Sequence, residues 1–220
     1  MPEFPLFWLF LIPPYDMHIS WLGSTAVKLQ VKPFDNDVTI IIDPYKPALG
    51  AFPRNLLADI AIYTQTEAGS ISISGTPFVI SHPGEWEVHQ VLMAAIDSHL
   101  PNNIIVRLDV EEMRIAHLGR TDKPLNDIQL DLVSGVDILF VPVGGEGCYE
   151  AQAAAKIVNM IEPRIVIPVG HKSDNDPQAK AITEFVKEMG SNATQEEKKV
   201  IIKQKDLPQD DMRIIVLNKE

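Results

Sequence analysis

The stretch from Ala58 to Ser70, ADIAIYTQTEAGS, places a polar loop directly after an apolar, strand-like run. Many hydrolases carry metal-binding histidines in such a loop, because imidazole and carboxylate groups hold divalent ions and leave one position open for water. The metal lowers the pKa of that water toward about 7 and polarises the bond that is cleaved. This loop contains no histidine. Either the chemistry lies elsewhere in the chain, or it has been lost.

Other residue types with chemical potential form only weak motifs. The sequence VGGEGCYEA brings Gly144, Gly145 and Gly147 to the start of a helix-like segment, where free backbone amides could hold an anion. The segment lacks the Lys and Ser/Thr of a P-loop, so loop geometry is the alternative explanation of its glycines. Cys148 has no base beside it and is expected to be an unreactive thiol. Without a Gly-x-Ser-x-Gly sequence, a serine hydrolase mechanism has no nucleophile.

Short runs of alternating or β-branched apolar residues dominate the first half of the chain and indicate strands. Pro44 ends the third run, because the residue before a proline is held extended and proline donates no ladder hydrogen bond. In chain order, the runs are HISWL, AVKLQV, DVTIIID, ADIAIYT, TPFVIS, EWEV, VLMAAI, NIIVRLDV and MRIAHLG.

The second half alternates strands with helices. DILFVPV and RIVIPV are continuous apolar runs, which are typical of strands buried on both faces. Apolar residues at helical spacing predict one helix from Ala151 to Val158 and another from Ile182 to Met189, with Gly190 after its end. KVIIKQ and MRIIVL predict a closing strand pair. This order indicates an α/β fold of stacked sheets with helices outside, in one domain of residues 17–220.

The composition limits the partners and the compartment. A net charge of -11 argues against nucleic acid, which draws clustered Lys and Arg. The single cysteine, Cys148, excludes an internal disulfide and favours a reducing, cytoplasmic location. The sequence leaves the oligomeric state open.

Residues 1–16 form an apolar extension that does not fit the rest of the pattern. FPLFWLFLIPP is too short to cross about 30 Å of hydrocarbon, which takes about 20 residues, so we expect no membrane span. It has neither a basic region nor a cleavage site of a signal peptide, and its prolines oppose a helix. A docked arm, a weak membrane-surface anchor, or residues upstream of a true start at Met17 are the alternatives, and we favour the last.

From Met17 to Leu217 the runs resemble the metallo-β-lactamase fold superfamily, especially its small bacterial zinc-dependent hydrolases related to sugar-acid phosphate lactonases. MHISWLGSTAVKL is similar to the first hairpin of that branch, TIIIDP to its third strand, and HPGEWEV to its Pro-Gly-Glu-aromatic-Glu signature. IAHLG, VDILFVPVGG and IEPRIVIPVGH follow in the same order. The resemblance implies an αββα sandwich of two mixed β-sheets flanked by helices.

The metal motif of the family is degenerate in this chain. The family uses Thr-His-x-His-x-Asp-His, then a later His, an Asp after a Gly, and a last His; here Thr64 keeps the threonine. Other residue types occupy the ligand positions of the loop and the position of the bridging aspartate: Gln65, Glu67, Gly69, Ser70 and Arg120. His99 matches the later histidine and His171 the last one. The resemblance therefore implies at most a vestigial metal set of His171, His99 and Glu67.

Two functions follow from this degeneracy, and they leave open whether the protein is an enzyme. Loss of a single outer partner already weakens metal binding by about 10–100-fold, so loss of several direct ligands predicts loss of the dinuclear centre. We expect a protein without a cofactor and without assigned catalytic residues, which binds or scaffolds an unknown small molecule or protein. The alternative is a hydrolase with one weakly held Zn or Mn, acting on a small phosphorylated or lactone-like substrate.

Three residues near the motif receive specific interpretations. Arg120 places a permanent charge where a metal would lie, and we hypothesise that it pairs with Glu67; the alternative is that both side chains point into water. His117, at a strand end, is interpreted as a structural histidine. Asp43 is interpreted as orienting a loop and not as a catalytic acid.

Overall fold

The computed structural model describes residues 16–34, 36–54, 56–67, 69–190, 193–196 and 198–220. The apolar extension predicted at residues 1–16 lies outside this part of the chain, except for Asp16. No helix of the described residues has the length and apolar character needed to cross a membrane.

Six strands form the first sheet, which mixes antiparallel and parallel pairs. Their spatial order is β13 (Lys199–Ile202), β1 (Met17–Gly23), β2 (Ala26–Val31), β3 (Val38–Ile42), β4 (Ile60–Ile62) and β5 (Phe78–Ile80). The pairs from β13 to β3 are antiparallel, whereas β3–β4 and β4–β5 are parallel. The hairpin of β1 and β2 turns at Ser24 and Thr25, which become central to the site below.

Eight strands form the second sheet. Their spatial order is β12 (Thr194–Glu196), β14 (Arg213–Leu217), β11 (Ile165–Val169), β10 (Ile138–Pro142), β9 (Met113–His117), β8 (Ile104–Val110), β7 (Val91–Asp97) and β6 (Gly84–Val88). Neighbouring strands pair antiparallel from β6 through β7 and β8 to β9. They pair parallel from β9 through β10, β11 and β14 to β12. Every residue of β10 and β11 is buried, as their continuous apolar sequences predict.

The described residues form three α-helices, α1 (Asp127–Val133), α2 (Ala151–Ile161) and α3 (Thr183–Glu188). Both predicted helices are present: α2 buries Ala154 and Val158, and α3 buries Phe185, with Gly190 just beyond its end. The predicted fold class, two mixed β-sheets with flanking helices, is confirmed.

Helix α1 was not predicted, although the sequence carries a signal for it. The Asn126 side chain accepts a hydrogen bond from the Gln129 amide, and the Gln129 side chain accepts one from the Asn126 amide. This reciprocal capping box satisfies two amides that the first helical turn leaves unpaired. The Asn-x-x-Gln spacing alone could have revealed the helix.

Apolar residues fill the space between the sheets and the space beneath the helices. Ile19, Ile40 and Phe140 belong to the core between the two sheets. A second cluster joins the outer face of the eight-stranded sheet to the helices. On the outer face of the six-stranded sheet, loop residues such as Phe52 pack against Ile41. These layers fix the strands, and so fix where their ends lie.

The predicted closing strand pair is wrong. β13 pairs with β1 in the six-stranded sheet, whereas β14 pairs with β11 and β12 in the other sheet. Burial alternates along β13, as expected of an edge strand with one solvated face, while four of the five residues of β14 are buried. The two segments lie close in sequence but belong to different layers.

The capping box of α1 gives a first prediction. Asn126→Ala removes an acceptor that no other group replaces, and we expect the free energy of unfolding to fall by about 1 kcal/mol in urea denaturation. Ile128→Ala, at a position of the same helix that is 72% exposed, serves as the control and should change stability very little. Equal stability of the two variants would contradict the role of the box.

Candidate functional site

The β1–β2 turn is the point at which several loops meet. The Ser24 carbonyl accepts hydrogen bonds from the Trp21 indole at 2.7 Å and from the Gly170 amide, after β11, at 2.7 Å. Thr25 bonds to Asp43, which follows β3, and to His117 at the end of β9. Loops from both sheets are therefore tied to one turn.

Asp43 is held by three hydrogen bonds, all from threonines. Its Oδ2 accepts from the hydroxyls of Thr25 at 2.8 Å and Thr64 at 2.6 Å, and its Oδ1 accepts from the Thr64 amide at 2.6 Å. A buried carboxylate with this many donors is satisfied without a cation. Asp43 thus fixes the start of the loop that follows β4, in agreement with its predicted orienting role.

His117 is fully buried and structural, as predicted. The Gly119 amide can only donate, so Nδ1 accepts its bond at 3.0 Å, and Nε2 must carry the proton that it donates to the Thr25 carbonyl at 2.9 Å. Desolvation lowers the pKa of His117, against an opposing pull from the Asp43 charge. Both ring nitrogens are used within the protein.

Arg120 reaches the β1–β2 turn and not Glu67. Its Nη2 donates to the Ser24 hydroxyl at 2.9 Å, and its Nε is buried without a partner. Glu67 is exposed, and the described residues contain no ion pair between it and Arg120. The hypothesised Arg120–Glu67 pair is therefore not formed, because the loop after β4 turns its carboxylate outward.

The remaining positions after β4 that the resemblance assigns to metal ligands differ in how closely they approach the β1–β2 turn. The side-chain amide nitrogen of Gln65, Nε2, donates a weak hydrogen bond to the Thr25 hydroxyl, at 3.4 Å. Gly69 is exposed and its carbonyl accepts from the Lys46 amide, while the Ser70 amide donates to the Glu67 carbonyl in a local turn. Only the first of these positions faces the β1–β2 turn.

His99 lies in the loop between β7 and β8 and has its own partners. Its Nδ1 lies 2.9 Å from the Thr121 hydroxyl, and its Nε2 lies 3.3 Å from an oxygen of Asp122 without forming a hydrogen bond. Thr121 is fully buried next to Arg120. The candidate ligand is thus anchored to the loop after β9.

His171, directly after Gly170, packs on Trp21 with a ring separation of 4.1 Å and is 5% exposed. Burial lowers its pKa to about 4, although a backbone hydrogen bond with Lys172 opposes the shift. Its Nε2 is buried without a partner. A groove of about 390 Å³ opens beside the ring, bordered by Ile182 and Lys219. His171 is therefore a neutral ring with one unused nitrogen.

The donor set does not fit a dinuclear zinc centre. Across the described ranges, no group of three or more His, Cys, Asp or Glu residues is placed to hold a metal ion. His99, His171 and Glu67 do not form such a group, and Arg120 occupies the position that the resemblance assigns to the bridging aspartate. Whether a single metal binds weakly stays a prediction.

The glycine-rich loop after β10 packs closely against its neighbours. A Cβ at Gly145 would lie 2.8 Å from the Gly170 carbonyl oxygen, and one at Gly147 would lie 3.3 Å from Cγ and Cδ of Arg120. The Gly144 amide donates to the Tyr149 carbonyl. Close backbone approach explains Gly145, and left-handed backbones, with φ of 83° and 66°, explain Gly144 and Gly147; anion binding by their amides stays a prediction.

Sequence reasoning missed the residues that assemble the site, namely Trp21, Ser24, Thr25 and Thr121. Ser24 has a left-handed backbone with φ of 46°, which is uncommon for a residue other than glycine. The Gly-Ser-Thr turn was visible as a hairpin connection, but nothing in its spacing indicated that four loops would bind to it.

Comparison with known proteins assigns the chain to a family. The family described as the beta-lactamase superfamily domain matches residues 18–170. The UPF0173 protein PF0020 of Pyrococcus furiosus is 41% identical over 78 residues, and PYRAB01190 of Pyrococcus abyssi is 39% identical over 62 residues. These matches cover 34% and 28% of this chain, and only 34% and 29% of the two relatives.

Solved structures share the fold at low identity. A Thermotoga maritima protein, classed with the Zn-dependent hydrolases of the metallo-beta-lactamase superfamily, matches with a TM-score of 0.75 and 22% identity, over 92% of this chain and 99% of its own. Igni18, a metallo hydrolase of Ignicoccus hospitalis, matches with a TM-score of 0.59 and 14% identity, over 80% of this chain and 91% of its own. Both likenesses concern the fold alone.

The threonine bonds of Asp43 give a second prediction. Thr64→Val keeps the side-chain shape but removes the hydroxyl donor at 2.6 Å, which should lower the free energy of unfolding by about 1.5–3 kcal/mol, the range for bonds to charged groups. Thr39→Val in β3 is the matched control, because its hydroxyl makes no such bond. Urea denaturation would contradict the prediction if both variants were equally stable.

The buried ring of His171 gives a third prediction. The unfolded chain takes up a proton near the ordinary pKa of 6.5, whereas the folded chain does so only near 4. The stability contributed by the neutral ring is therefore complete above 6.5 and is lost as the pH falls toward 4.

His171→Phe keeps the stacking on Trp21 but cannot titrate. The stability of wild type relative to this variant should fall by about 3 kcal/mol between pH 7 and pH 4, measured by urea denaturation at each pH. His82→Phe, at an exposed position, is the control and should track wild type. Parallel curves for wild type and His171→Phe would contradict the assignment.

Proposed function

The chain belongs to the beta-lactamase superfamily, and we propose that it is a hydrolase-like member that has lost its dinuclear metal centre and acts as a non-catalytic binding or scaffold protein. One observation carries the proposal. Arg120, at the position that the resemblance assigns to the bridging aspartate, directs its guanidinium to the Ser24 hydroxyl at the junction of the loops.

The charge of Arg120 opposes a metal at this position. Two unit charges about 4 Å apart interact by about 4 kcal/mol at an effective dielectric of 20, and a dication doubles the repulsion. Loss of an outer-shell partner weakens metal binding by only about 10–100-fold, which is roughly 1.4–2.8 kcal/mol. Arginine cannot lose its proton to relieve the repulsion. In binding free energy for a metal, the arginine at this position therefore costs more than the loss of several outer-shell partners.

The placement of the surviving candidate ligands supports the same conclusion. His99 is bonded to Thr121, and Glu67 is exposed to solvent. The satisfied carboxylate of Asp43 has no need of a cation. The loops are thus held together by hydrogen bonds among the protein's own groups.

One observation favours the alternative of a hydrolase with a remodelled single-metal site. The Nε2 atoms of His99 and His171 are both buried without hydrogen-bond partners, and an imidazole nitrogen in this state is the usual ligand of zinc. Such a protein would act on a small phosphorylated or lactone-like substrate. The Thermotoga and Ignicoccus proteins, which share the fold, are described as metal-dependent enzymes.

Metal content decides between the two functions and forms the fourth prediction. We expect protein purified without chelator, incubated with Zn²⁺ or Mn²⁺ and passed through gel filtration, to retain less than one equivalent by elemental analysis, because Arg120 repels the ion. His171→Phe and the exposed control His82→Ala are measured in parallel. A stoichiometric metal that survives in wild type and His82→Ala but disappears in His171→Phe would overturn the proposal.

A further inference from the structure

We propose that Arg120 anchors a binding site for an oxyanion group, the carboxylate or phosphate of a small ligand, where the loops after β9, β10 and β11 meet the β1–β2 turn. This inference deepens the proposed function and rests on it, because a metal at the former bridging position would take the place of the anion.

Among the residues that the structure describes, the positive charge of Arg120 has no counter-ion. In the part of the chain that the structure describes, no carboxylate lies within ion-pair distance of its guanidinium. Asp43 is the one carboxylate buried among these residues, and its oxygens are bonded to Thr25 and Thr64. Asp122 lies beside His99 instead. A partly buried cation without a partner favours an anion from solution.

The guanidinium also has donors to spare. It carries five N–H groups, of which one on Nη2 donates to Ser24, while Nε is enclosed by the protein without an acceptor, so a ligand from solution would meet the N–H groups of the two Nη atoms. An arginine fork is shaped to bind the two oxygens of a carboxylate or phosphate at once. A carboxylate or phosphate would therefore supply both the hydrogen-bond acceptors and the negative charge that the protein does not provide to Arg120.

The fork is held in place before any ligand arrives. Ser24 fixes Nη2 from one side, while Gly147 leaves room for the aliphatic part of the arginine, whose Cγ and Cδ would lie 3.3 Å from a Cβ at that position. Ser24 itself is fixed by bonds from Trp21 and Gly170 to its carbonyl. Binding would need little further ordering of the site, which favours affinity for a small ligand.

Two titratable neighbours of Arg120, Cys148 and Tyr45, are neutral. The charges of Asp122 and Asp176 also act on Cys148, although neither carboxylate forms an ion pair with Arg120. Burial raises the pKa of the Cys148 thiol to about 11 despite the nearby Arg120 charge, so the thiol supplies no internal anion. Burial also raises the pKa of Tyr45 to about 12, with Arg120 opposing the shift. The Tyr45 oxygen accepts a hydrogen bond from Asn175 at 2.9 Å, and its own proton is available as a second donor near the guanidinium.

The test titrates the full-length protein with two probes, inorganic phosphate and acetate, at constant ionic strength set with chloride. Calorimetry measures binding, and ¹⁵N NMR follows the Nε–Hε signals of the arginines. We expect saturable binding of at least one probe and movement of the Arg120 signal. Phosphate alone would indicate a phosphorylated ligand, and acetate alone a carboxylate.

Matched variants assign the site. Arg120→Gln should weaken binding by about tenfold or more, the loss expected of one charge-assisted hydrogen bond. Arg107→Gln is the control, because Arg107 is already paired with Asp109 at 3.0 Å, and it should bind like wild type. If Arg120→Gln does not fold, Arg120→Lys keeps the charge, loses the fork, and should still weaken binding.

The outcomes separate this inference from the proposed function. Metal-free protein that binds neither probe saturably, or binds equally well in wild type and both Arg120 variants, would overturn the inference alone. Stoichiometric metal in the same preparation would instead overturn the proposed function. Saturable binding that depends on Arg120 supports both.

Discussion

The hydrogen bonds of the buried Asp43 carboxylate determine the geometry of the loop ends. By binding the hydroxyls of Thr25 and Thr64, Asp43 joins the β1–β2 turn to the loop after β4. The adjoining Ser24 then receives Arg120 from the opposite sheet. In metalloproteins a bound ion often links loops in this way and contributes directly to stability. Here a carboxylate and a set of neutral donors link them.

A guanidinium and a metal ion would do different chemistry at the junction of these loops. Both are positive, and both attract oxyanions. A dication additionally polarises water and the substrate bond, whereas a guanidinium offers directed N–H donors and holds its proton at any physiological pH. The junction that Arg120 enters is therefore, under the proposal, suited to recognition. This difference links the proposed non-catalytic role to the proposed ligand class, since the residue that opposes a metal is also the residue that recruits an anion.

The sequence predicted the layers of the fold far better than the connections between them. Continuous apolar runs identified β10 and β11, and the helical stripe identified α2, because a buried strand or helix face requires apolar residues in a regular pattern along the sequence. The partners of β13 and β14 could not be read in this way, since strand pairing is decided by contacts between distant segments. Helix α1 was missed because its signal lay in the cap at Asn126, with only two of its residues buried.

For the candidate site, as for the fold, the sequence indicated local features but not the contacts between distant segments. Arg120 and His171 lie in the loops after β9 and β11, and burial made His117 structural as expected. The Arg120–Glu67 pair failed because spacing along a loop does not fix the direction in which a side chain points. Ser24 and Thr25 went unnoticed since small polar residues are ordinary in a hairpin turn; their importance arises only when loops from both sheets converge.

The bond between Arg120 and Ser24 also bears on how this lineage can change. Under the proposed function, a histidine introduced at Gln65, which faces the β1–β2 turn, would add a metal ligand near a guanidinium that repels dications, and would bring no benefit by itself. Only replacement of Arg120 could make such a histidine useful, yet that step removes a group fixed in the packed junction. If the proposed function holds, a metal centre could therefore arise in this chain only together with the loss of the Arg120–Ser24 bond, so any gain of metal chemistry would carry a cost in the packing of the junction.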